Sequence, residues 1–265
     1  MVAQRRGAAI EISGLRKDYV SGQGTVTALD NVDLKIAPGE FLCIVGPSGC
    51  GKSTLLRILA GLDKQTGGTI RADAEGWAVQ NAMVFQESGL FPWMSVADNV
   101  RFGLDTRGVP RSEADPRVEA ALRLVGLTRF RNHYPHQLSG GMRQRSAIAR
   151  AFVTDPAMLL MDEPFAALDA QNRVILQAEL VRIWGQTGKT VVYITHSIEE
   201  ALLLGDRTVI MTAQPGRIKR IVDVPFPHPR DLIQLSASAE FGRLKLDIWR
   251  VLEDEVNRAR AEMEL

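Results

Sequence analysis

The chain has 265 residues, and its 32 Lys and Arg against 31 Asp and Glu give a formal net charge of +1. This balance excludes a broadly basic surface, so we expect no nucleic-acid partner. An apolar content of 45% excludes a disordered chain, and two cysteines, Cys43 and Cys50, are too few for a disulfide framework. No apolar run approaches the roughly 20 residues of a transmembrane helix, and no signal-peptide pattern is found.

The N-terminal region shows the period-two alternation of β-strands. Its apolar positions at this spacing are Ile10, Ile12, Val32, Leu34 and Ile36. Gly22 and Gly24 lie between the two runs and mark a turn, which indicates antiparallel strands. Residues 41–45 are continuously apolar, as in a strand covered on both faces, and a helix is predicted from Lys52 to Leu62.

Residues 87–154 differ from the rest of the chain, because short helical patterns there are separated by Pro and Gly. We interpret them as a mostly helical subdomain inserted into an α/β core. That core has predicted strands at 82–85, 158–161, 190–195 and 207–211, and predicted helices at 170–186 and 197–204. The alternation predicts a mainly parallel sheet in a domain of residues 8–225. Residues 226–265 are predicted to form a C-terminal helical extension, with one amphipathic helix over about 237–263.

The segment after the strand at 41–45 fits the phosphate-loop pattern of Gly, four residues, Gly-Lys-Ser. It reads Gly46-Pro47-Ser48-Gly49-Cys50-Gly51-Lys52-Ser53, with Thr54 next. Its glycines let the backbone curl around an anion, and the helix behind it presents free N–H groups. Lys52 is predicted to reach the terminal phosphates and Ser53 to coordinate Mg²⁺, whereas Cys50 is interpreted as a spacer without thiol chemistry. The alternative is a glycine-rich turn that binds nothing.

Asp162 and Glu163 directly follow the apolar run at 158–161. At the end of a strand, Asp162 would point out of the sheet edge, where a water held by Mg²⁺ would lie. Glu163 would be placed to polarise an attacking water. The alternative is that the sequence Asp-Glu-Pro only ends the strand in a turn.

A second glycine pair, in Leu138-Ser139-Gly140-Gly141-Met142, precedes a predicted helix. The simplest interpretation is that Ser139 is a helix N-cap. The chain would then offer two helix N-termini with small residues suited to an anion, but a single strand end suited to a metal.

The order of these motifs resembles the ATP-binding subunit of ABC transporters over about residues 10–224. The residues that carry the resemblance are the phosphate loop, Gln86, Leu138 to Gly141, Met161 to Glu163, Leu168, Asp169 and His196. The resemblance implies an α/β P-loop NTPase core with a mainly parallel sheet, an antiparallel β subdomain at the N-terminus and an inserted α-helical subdomain. It also implies an ATPase that uses ATP and Mg²⁺.

The resemblance implies a role for each matching residue. Residues 46–54 would bind the phosphates of ATP, and Tyr19 would stack on adenine unless it is only a tyrosine at the end of a strand. The residues implied in catalysis are Lys52, Gln86, Glu163 and His196. Those implied in holding Mg²⁺ are Ser53, Gln86 and Asp162. His196 would contact the γ-phosphate, and Asp169 is also predicted to belong to the nucleotide site.

Ser139, Gly140 and Gly141 would meet the γ-phosphate of ATP bound to a second, head-to-tail subunit. This arrangement would account for the second anion-binding helix, and the partner is predicted to be an identical copy. Met142 and Ala166 depart from the Gln and Ser of many members, but neither change removes a catalytic group.

The branch that the chain resembles is that of importers for nitrate, sulfonates, taurine and related anions. The resemblance is carried by segments 85–93 and 213–218 and by the Pro-rich passage 224–230. It implies a separate transmembrane permease that docks near Leu90, Phe91 and Trp93, although Phe91 could instead belong to the subdomain core. It also implies a substrate-binding protein and a peripheral location on the cytoplasmic side of the bacterial inner membrane.

Two other classes share this site chemistry. One is the ATPase of an exporter or lipid-transport system, which differs chiefly in its membrane partner. The other is a non-transport ABC ATPase, and the short interval between Lys52 and Ser139 leaves no room for the long coiled coil of the DNA-repair members. The sequence does not identify the transported substrate.

Overall fold

The computed structural model describes residues 7–22, 24–72, 81–166 and 168–263. Residues 264 and 265 of the predicted C-terminal extension lie outside this range. The strands are β1 (Ile10–Ser21), β2 (Gly24–Ile36), β3 (Phe41–Val45), β4 (Gly67–Ala72), β5 (Asn81–Val84), β6 (Met158–Asp162), β7 (Thr190–Ile194), β8 (Arg207–Met211) and β9 (Ile218–Asp223). The helices are α1 (Lys52–Leu59), α2 (Val96–Asp105), α3 (Arg111–Leu124), α4 (Gly140–Phe152), α5 (Ala170–Thr187), α6 (Ile198–Leu204), α7 (Leu232–Ser236) and α8 (Ala239–Met263).

The N-terminal strands form an antiparallel sheet in the order β2-β1-β4. Ile10 lies opposite Ile36 and Ile12 opposite Leu34, so the apolar alternation of both strands falls on one buried face. This confirms the predicted antiparallel subdomain. The third strand, β4, was not predicted, because its residues are exposed or only half-buried and its sequence lacks an apolar alternation.

The central sheet has six strands in the order β5-β6-β7-β3-β8-β9. The first five are parallel, and β9 pairs antiparallel with β8 at one edge. All residues of β3 are buried, as its continuous apolar run predicts, and all residues of β7 are buried as well. The predicted fold class is therefore confirmed. The strand predicted at 82–85 begins and ends one residue earlier, and Phe85 is half-exposed beyond its end.

The inserted helical subdomain consists of α2, α3 and α4 with two short 3₁₀ turns, Thr128–Phe130 and Pro135–Gln137. Ser95 is the N-cap of α2 and accepts a hydrogen bond from the Asp98 amide. The fully buried Asn99 ties down the preceding loop: its Oδ1 accepts from the Phe91 amide, and its Nδ2 donates to the carbonyls of Phe91, Met94 and Ser95 at 3.0–3.1 Å. The loop that carries Trp93 is therefore fixed to α2.

The helix that follows the phosphate loop is shorter than predicted. It ends at Leu59 rather than Leu62, because Ala60 caps it and Gly61 takes a positive φ of 73°. The last helix also begins slightly later than predicted, at Ala239, since Ala237 is the C-cap of α7.

The C-terminal helix α8 packs against α6 and against strand β8 of the central sheet. Phe241, Ile248 and Leu252 are buried along its inner face. Over the residues described, no helix is both long enough and apolar enough to cross a bilayer.

Candidate active site

The phosphate loop connects β3 to α1 at the carboxyl edge of the central sheet. Gly49 and Gly51 take φ values of 78° and 98°, a backbone conformation that residues with a side chain rarely adopt. A Cβ on Gly51 would lie 2.7 Å from both the Ala28 carbonyl oxygen and the Leu29 side chain. Glycine is therefore required at position 51 for two reasons: the positive φ and the lack of room for a Cβ.

Lys52 opens α1 and is buried, with 5% of its surface exposed. Its Nζ donates to the carbonyl oxygens of Gly46 and Pro47 at 2.8 Å, which holds the cation inside the curl of the loop. Gly51, at the N-cap, has no side chain that could occupy the amides of the first turn, and Thr54 lies half-buried in that turn. The Lys52 ammonium and the N–H groups of the first turn of α1 together form a site suited to an anion.

Cys50 lies inside the loop with 1% of its surface exposed. Burial raises the pKa of its thiol, and the neighbouring Lys52 only partly opposes this effect. The thiol therefore stays protonated at neutral pH, in agreement with its interpretation as a spacer.

Ser53 and Asp162 meet although they are far apart in the sequence. The Ser53 hydroxyl donates to Asp162 Oδ1 at 3.2 Å, because α1 starts beside the end of β6. A hydroxyl and a carboxylate are oxygen donors of the kind that Mg²⁺ prefers. This pair would supply two oxygen ligands to a magnesium ion.

Glu163 and His196 form the other close pair at this edge. Glu163 Oε1 lies 2.5 Å from His196 Nε2, since β6 and β7 are neighbours and each residue follows its strand. Glu163 takes a φ of 46°, and its amide donates to the Ile194 carbonyl at 3.1 Å. Positive φ costs a residue of this type about 1–3 kcal/mol, and such strain is concentrated at functional sites.

Tyr19 lies on β1 with 41% of its surface exposed. Its hydroxyl donates to Asp63 Oδ2 at 2.8 Å, and the Lys17 ammonium lies 4.7 Å from its ring centre. The hydrogen bonds from Lys17 and Tyr19 hold the pKa of Asp63 below its ordinary value. The ring is thus held at a fixed position with one part open to solvent, which suits stacking on a planar ligand.

The second glycine pair lies apart from the phosphate loop. Ser139 is the N-cap of α4 and accepts from the Met142 amide, as predicted, while Gly140 and Gly141 open the helix. Gly140 lines a cavity of about 650 Å³ together with Gln86. Ser48 and His196 line a different cavity.

Asp169 is the N-cap of α5. It accepts hydrogen bonds from the amide and the side chain of Asn172 at 2.9 and 2.7 Å, and these bonds lower its pKa. The structure thus groups Lys52, Ser53, Asp162, Glu163 and His196 at one sheet edge. It leaves the Ser139 segment and Gln86 at a second cavity.

One contact at the phosphate loop was missed from the sequence. Gly216, between β8 and β9, donates its amide to the Ala28 carbonyl, and a Cβ at this position would lie 2.0 Å from the Cys50 carbonyl oxygen. The sequence Gln214-Pro215-Gly216 predicts a turn, but nothing local indicates that this turn backs the phosphate loop.

A phosphate loop after one parallel strand, with two carboxylates and a histidine at the ends of the neighbouring strands, defines a class of protein. That class is the phosphate-loop nucleoside triphosphatases.

Comparisons with known proteins narrow the class. The profile of the ABC transporter family matches residues 29–166. An uncharacterized ABC transporter ATP-binding protein of Methanocaldococcus jannaschii is 47% identical over 95% of this chain and 94% of its own length. A taurine import ATP-binding protein of Jannaschia is 41% identical, over 96% of this chain and 98% of its own. A nitrate import ATP-binding protein of Synechocystis is 44% identical over 82% of this chain and 83% of its own length.

Among solved structures, a dimeric ATP-binding cassette in a post-hydrolysis state with ADP and phosphate superposes with a TM-score of 0.71. It is 34% identical, and the match covers 82% of this chain and all of that one. The chain therefore belongs to the ABC transporter family, as an ATP-binding subunit and ATPase, and its relatives confirm the resemblance to the taurine and nitrate branch.

Proposed function

We propose that this protein is the ATP-hydrolysing subunit of an ABC importer that takes up a small anion through a separate permease. The observation that carries the proposal is the meeting of the phosphate loop, Asp162, Glu163 and His196 at one sheet edge. An anion site, a metal carboxylate and a water-activating carboxylate in one place are the parts that phosphoryl transfer to water requires.

In the proposed mechanism, Lys52 and the first amides of α1 bind the β- and γ-phosphates of ATP. Glu163 accepts a proton from the attacking water. His196, 2.5 Å from Glu163, orients this carboxylate and contacts the γ-phosphate. Gln86, on the loop after β5 that borders the second cavity, is proposed to contact the same water. Tyr19 stacks on adenine.

Ser53, Asp162 and Gln86 are the residues proposed to hold Mg²⁺, because their oxygen donors suit a hard cation. The ion would neutralise charge on the phosphate oxygens.

A second copy of the chain completes the site in this proposal. Gly140, at the start of α4, lines a cavity other than that of Ser48 and His196, so one copy does not enclose a nucleotide between its two anion-binding helices. Two copies arranged head to tail would bring the Ser139 segment of each onto the γ-phosphate held by the other. The dimeric state of the similar solved cassette supports this arrangement. Asp169, which lies a few residues after Glu163, is proposed to take part in the same contact between the two copies.

The permease is proposed to dock at the loop before α2. Trp93 is 71% exposed there, and its ring packs against the ring of Phe91. The ring centroids of Phe91 and Phe102 lie 4.6 Å apart. Leu90 and Phe91 are half-buried in the same loop, and Leu90 packs against the main hydrophobic core. An exposed tryptophan on a fixed loop is typical of a protein interface. Docking there would place the protein at the cytoplasmic face of the bacterial inner membrane, next to a permease served by a substrate-binding protein.

The anion class is supported by relatives named as taurine and nitrate import proteins that span most of this chain. No observation in the described residues favours an exporter or a non-transport ATPase over this proposal.

The proposal is tested by Glu163→Gln, which keeps the size of the side chain but removes the proton acceptor. We expect ATP turnover to fall at least about 100-fold, the usual effect of losing a general base. ATP should still bind and should hold the variant as a dimer in size-exclusion chromatography. Glu113→Gln, an exposed carboxylate of the helical subdomain, serves as control and should hydrolyse ATP at the normal rate. Normal turnover in Glu163→Gln would contradict the proposal.

A further inference from the structure

The C-terminal helix α8 carries an apolar stripe that extends from its buried inner face, at Leu252, towards solvent. Trp249, Leu252, Val256 and Ala259 recur at helical spacing and line a cavity of about 310 Å³. Leu252 is buried, but Trp249 remains 49% exposed. The stripe is therefore only partly covered by the chain itself.

The opposite wall of this cavity belongs to the nucleotide site. It consists of Gly46, Pro47, Ser48, His196 and Ile198. Ser48 and His196 are exposed residues of the phosphate loop and of the loop after β7. The stripe of α8 and the rim of the nucleotide site thus form one continuous concave surface, with Arg260 adding a cation on the α8 side.

Buried and exposed ion pairs hold α8 firmly in this place. Glu255 is fully buried and accepts from the Ala213 amide at 2.9 Å and from Lys219 Nζ at 2.7 Å. Asp247 pairs with Arg220 on β9. The stripe is therefore presented on a fixed element, in the manner of an interface built on a scaffold.

We propose that the stripe of α8, with Trp249 and Arg260, is a contact surface for the second copy of this chain in the ATP-bound dimer. The proposal rests on the proposed function, because in that dimer the partner must cover the rim formed by Ser48 and His196. The same cavity includes Trp249, so a partner that covers the rim also covers the stripe. In a two-fold dimer this contact forms twice, which doubles its contribution to dimer stability.

The test uses the full chain with Glu163→Gln, in which ATP accumulates without hydrolysis. Trp249→Glu is added to it, and the dissociation constant of the dimer is measured by sedimentation with excess MgATP. We expect this constant to rise at least tenfold, because a charge would be buried in the contact. The matched control is Leu246→Glu: Leu246 lies on the same helix and is also 49% exposed, but it does not line the cavity. Its effect should stay below twofold.

A second measurement is independent of the introduced charge. A bimane label is attached through Trp249→Cys or through Leu246→Cys, since the native Cys43 and Cys50 are buried and do not compete for it. ATP should shift the emission of the label at position 249 to the blue as the protein concentration rises through the dissociation constant, while the label at position 246 should not change.

The outcomes separate the two proposals. Loss of ATP-dependent dimers in Glu163→Gln itself would overturn the proposed function and this inference with it. Dimers with an unchanged dissociation constant in Trp249→Glu would overturn the inference alone. A shift at position 249 that does not depend on protein concentration would show that the cavity closes within one copy or takes a small molecule, and would also overturn it.

Discussion

At the residue scale, Gly216 shows how tightly the phosphate loop is supported from behind. Its amide bonds to the Ala28 carbonyl and its own carbonyl accepts from the Asp30 amide, both at 3.0 Å. The Cys50 carbonyl lies so close that even one methyl group at position 216 would overlap it. The shape of the phosphate loop is thus set partly by a turn more than 160 residues away in the sequence.

Gly216→Ala should therefore damage the nucleotide site. We expect a loss of about 1–3 kcal/mol in the free energy of unfolding, the usual cost of overpacking, and a roughly tenfold weaker binding of ATP. Gly185→Ala is the control, because a Cβ at this exposed position of α5 meets nothing within 4 Å. It should raise stability by up to about 1 kcal/mol, as alanine does in helices. Thermal melts and ATP titrations distinguish the two, and equal ATP affinities would contradict this account of Gly216.

The residues of the nucleotide site were predictable to the extent that each lies in a local pattern. Lys52 and Ser53 belong to a loop with a distinctive spacing, and Asp162 and Glu163 follow an apolar run interpreted as a buried strand. Neighbouring strand ends then bring Glu163 and His196 together. Gly216 has no such pattern, since its role arises from a long-range contact between two loops.

At the element scale, the position of α8 depends on the buried Glu255. Burial alone would raise the pKa of this carboxyl, but the hydrogen bonds from Lys219 and the Ala213 amide, with the charges of Lys219 and Arg258, lower it below its ordinary value. A carboxyl with a lowered pKa stabilises the folded state above the ordinary glutamate pKa of about 4.3, and this contribution is lost as the pH falls through the folded-state pKa.

Glu255→Gln should destabilise the protein by about 1.5–3 kcal/mol at pH 7.5, the value of hydrogen bonds to a charged group. The difference in melting temperature from the parent should shrink as the pH is lowered below about 4.3. Lys245→Met, which removes the exposed pair of Lys245 with Glu199, is the control and should cost less than about 1 kcal/mol. A difference that stays constant down to acid pH would exclude an ionised Glu255.

Most core elements could be predicted because their apolar runs are buried on both faces. The exceptions lie at sheet edges. In β9 only Val222 is buried and most of the other residues are exposed, so the segment lacks the pattern of a core strand. Edge strands are specified by pairing with a neighbour, which a single sequence does not display.

At the scale of the whole molecule, the proposed nucleotide site and the proposed permease site lie on separate surfaces of the chain. Trp93 lies on the helical subdomain, whereas Ser48 and His196 lie on the α/β core. A change on one surface can therefore leave the other intact.

Trp93→Ala should weaken association with the permease and leave the ATPase activity of the isolated subunit unchanged. The ring is 71% exposed, so the truncation removes little folding energy. The measurement is the fraction of the subunit retained in washed membranes of cells that carry the complete transporter. Leu62→Ala, another exposed apolar side chain outside the helical subdomain, should remain bound. Equal retention of the two variants would contradict docking at Trp93.

The bonds from Asn99 to the loop before α2 have a mechanical consequence. Because the side chain of this one residue bonds to Phe91, Met94 and Ser95, the loop cannot be displaced without carrying α2 with it. Helix α2 packs on α4, and α4 begins at the Ser139 segment. In the proposed assembly, a force on Trp93 would therefore be transmitted through α2 and α4 to the Ser139 segment, with little of the motion lost to bending of the loop.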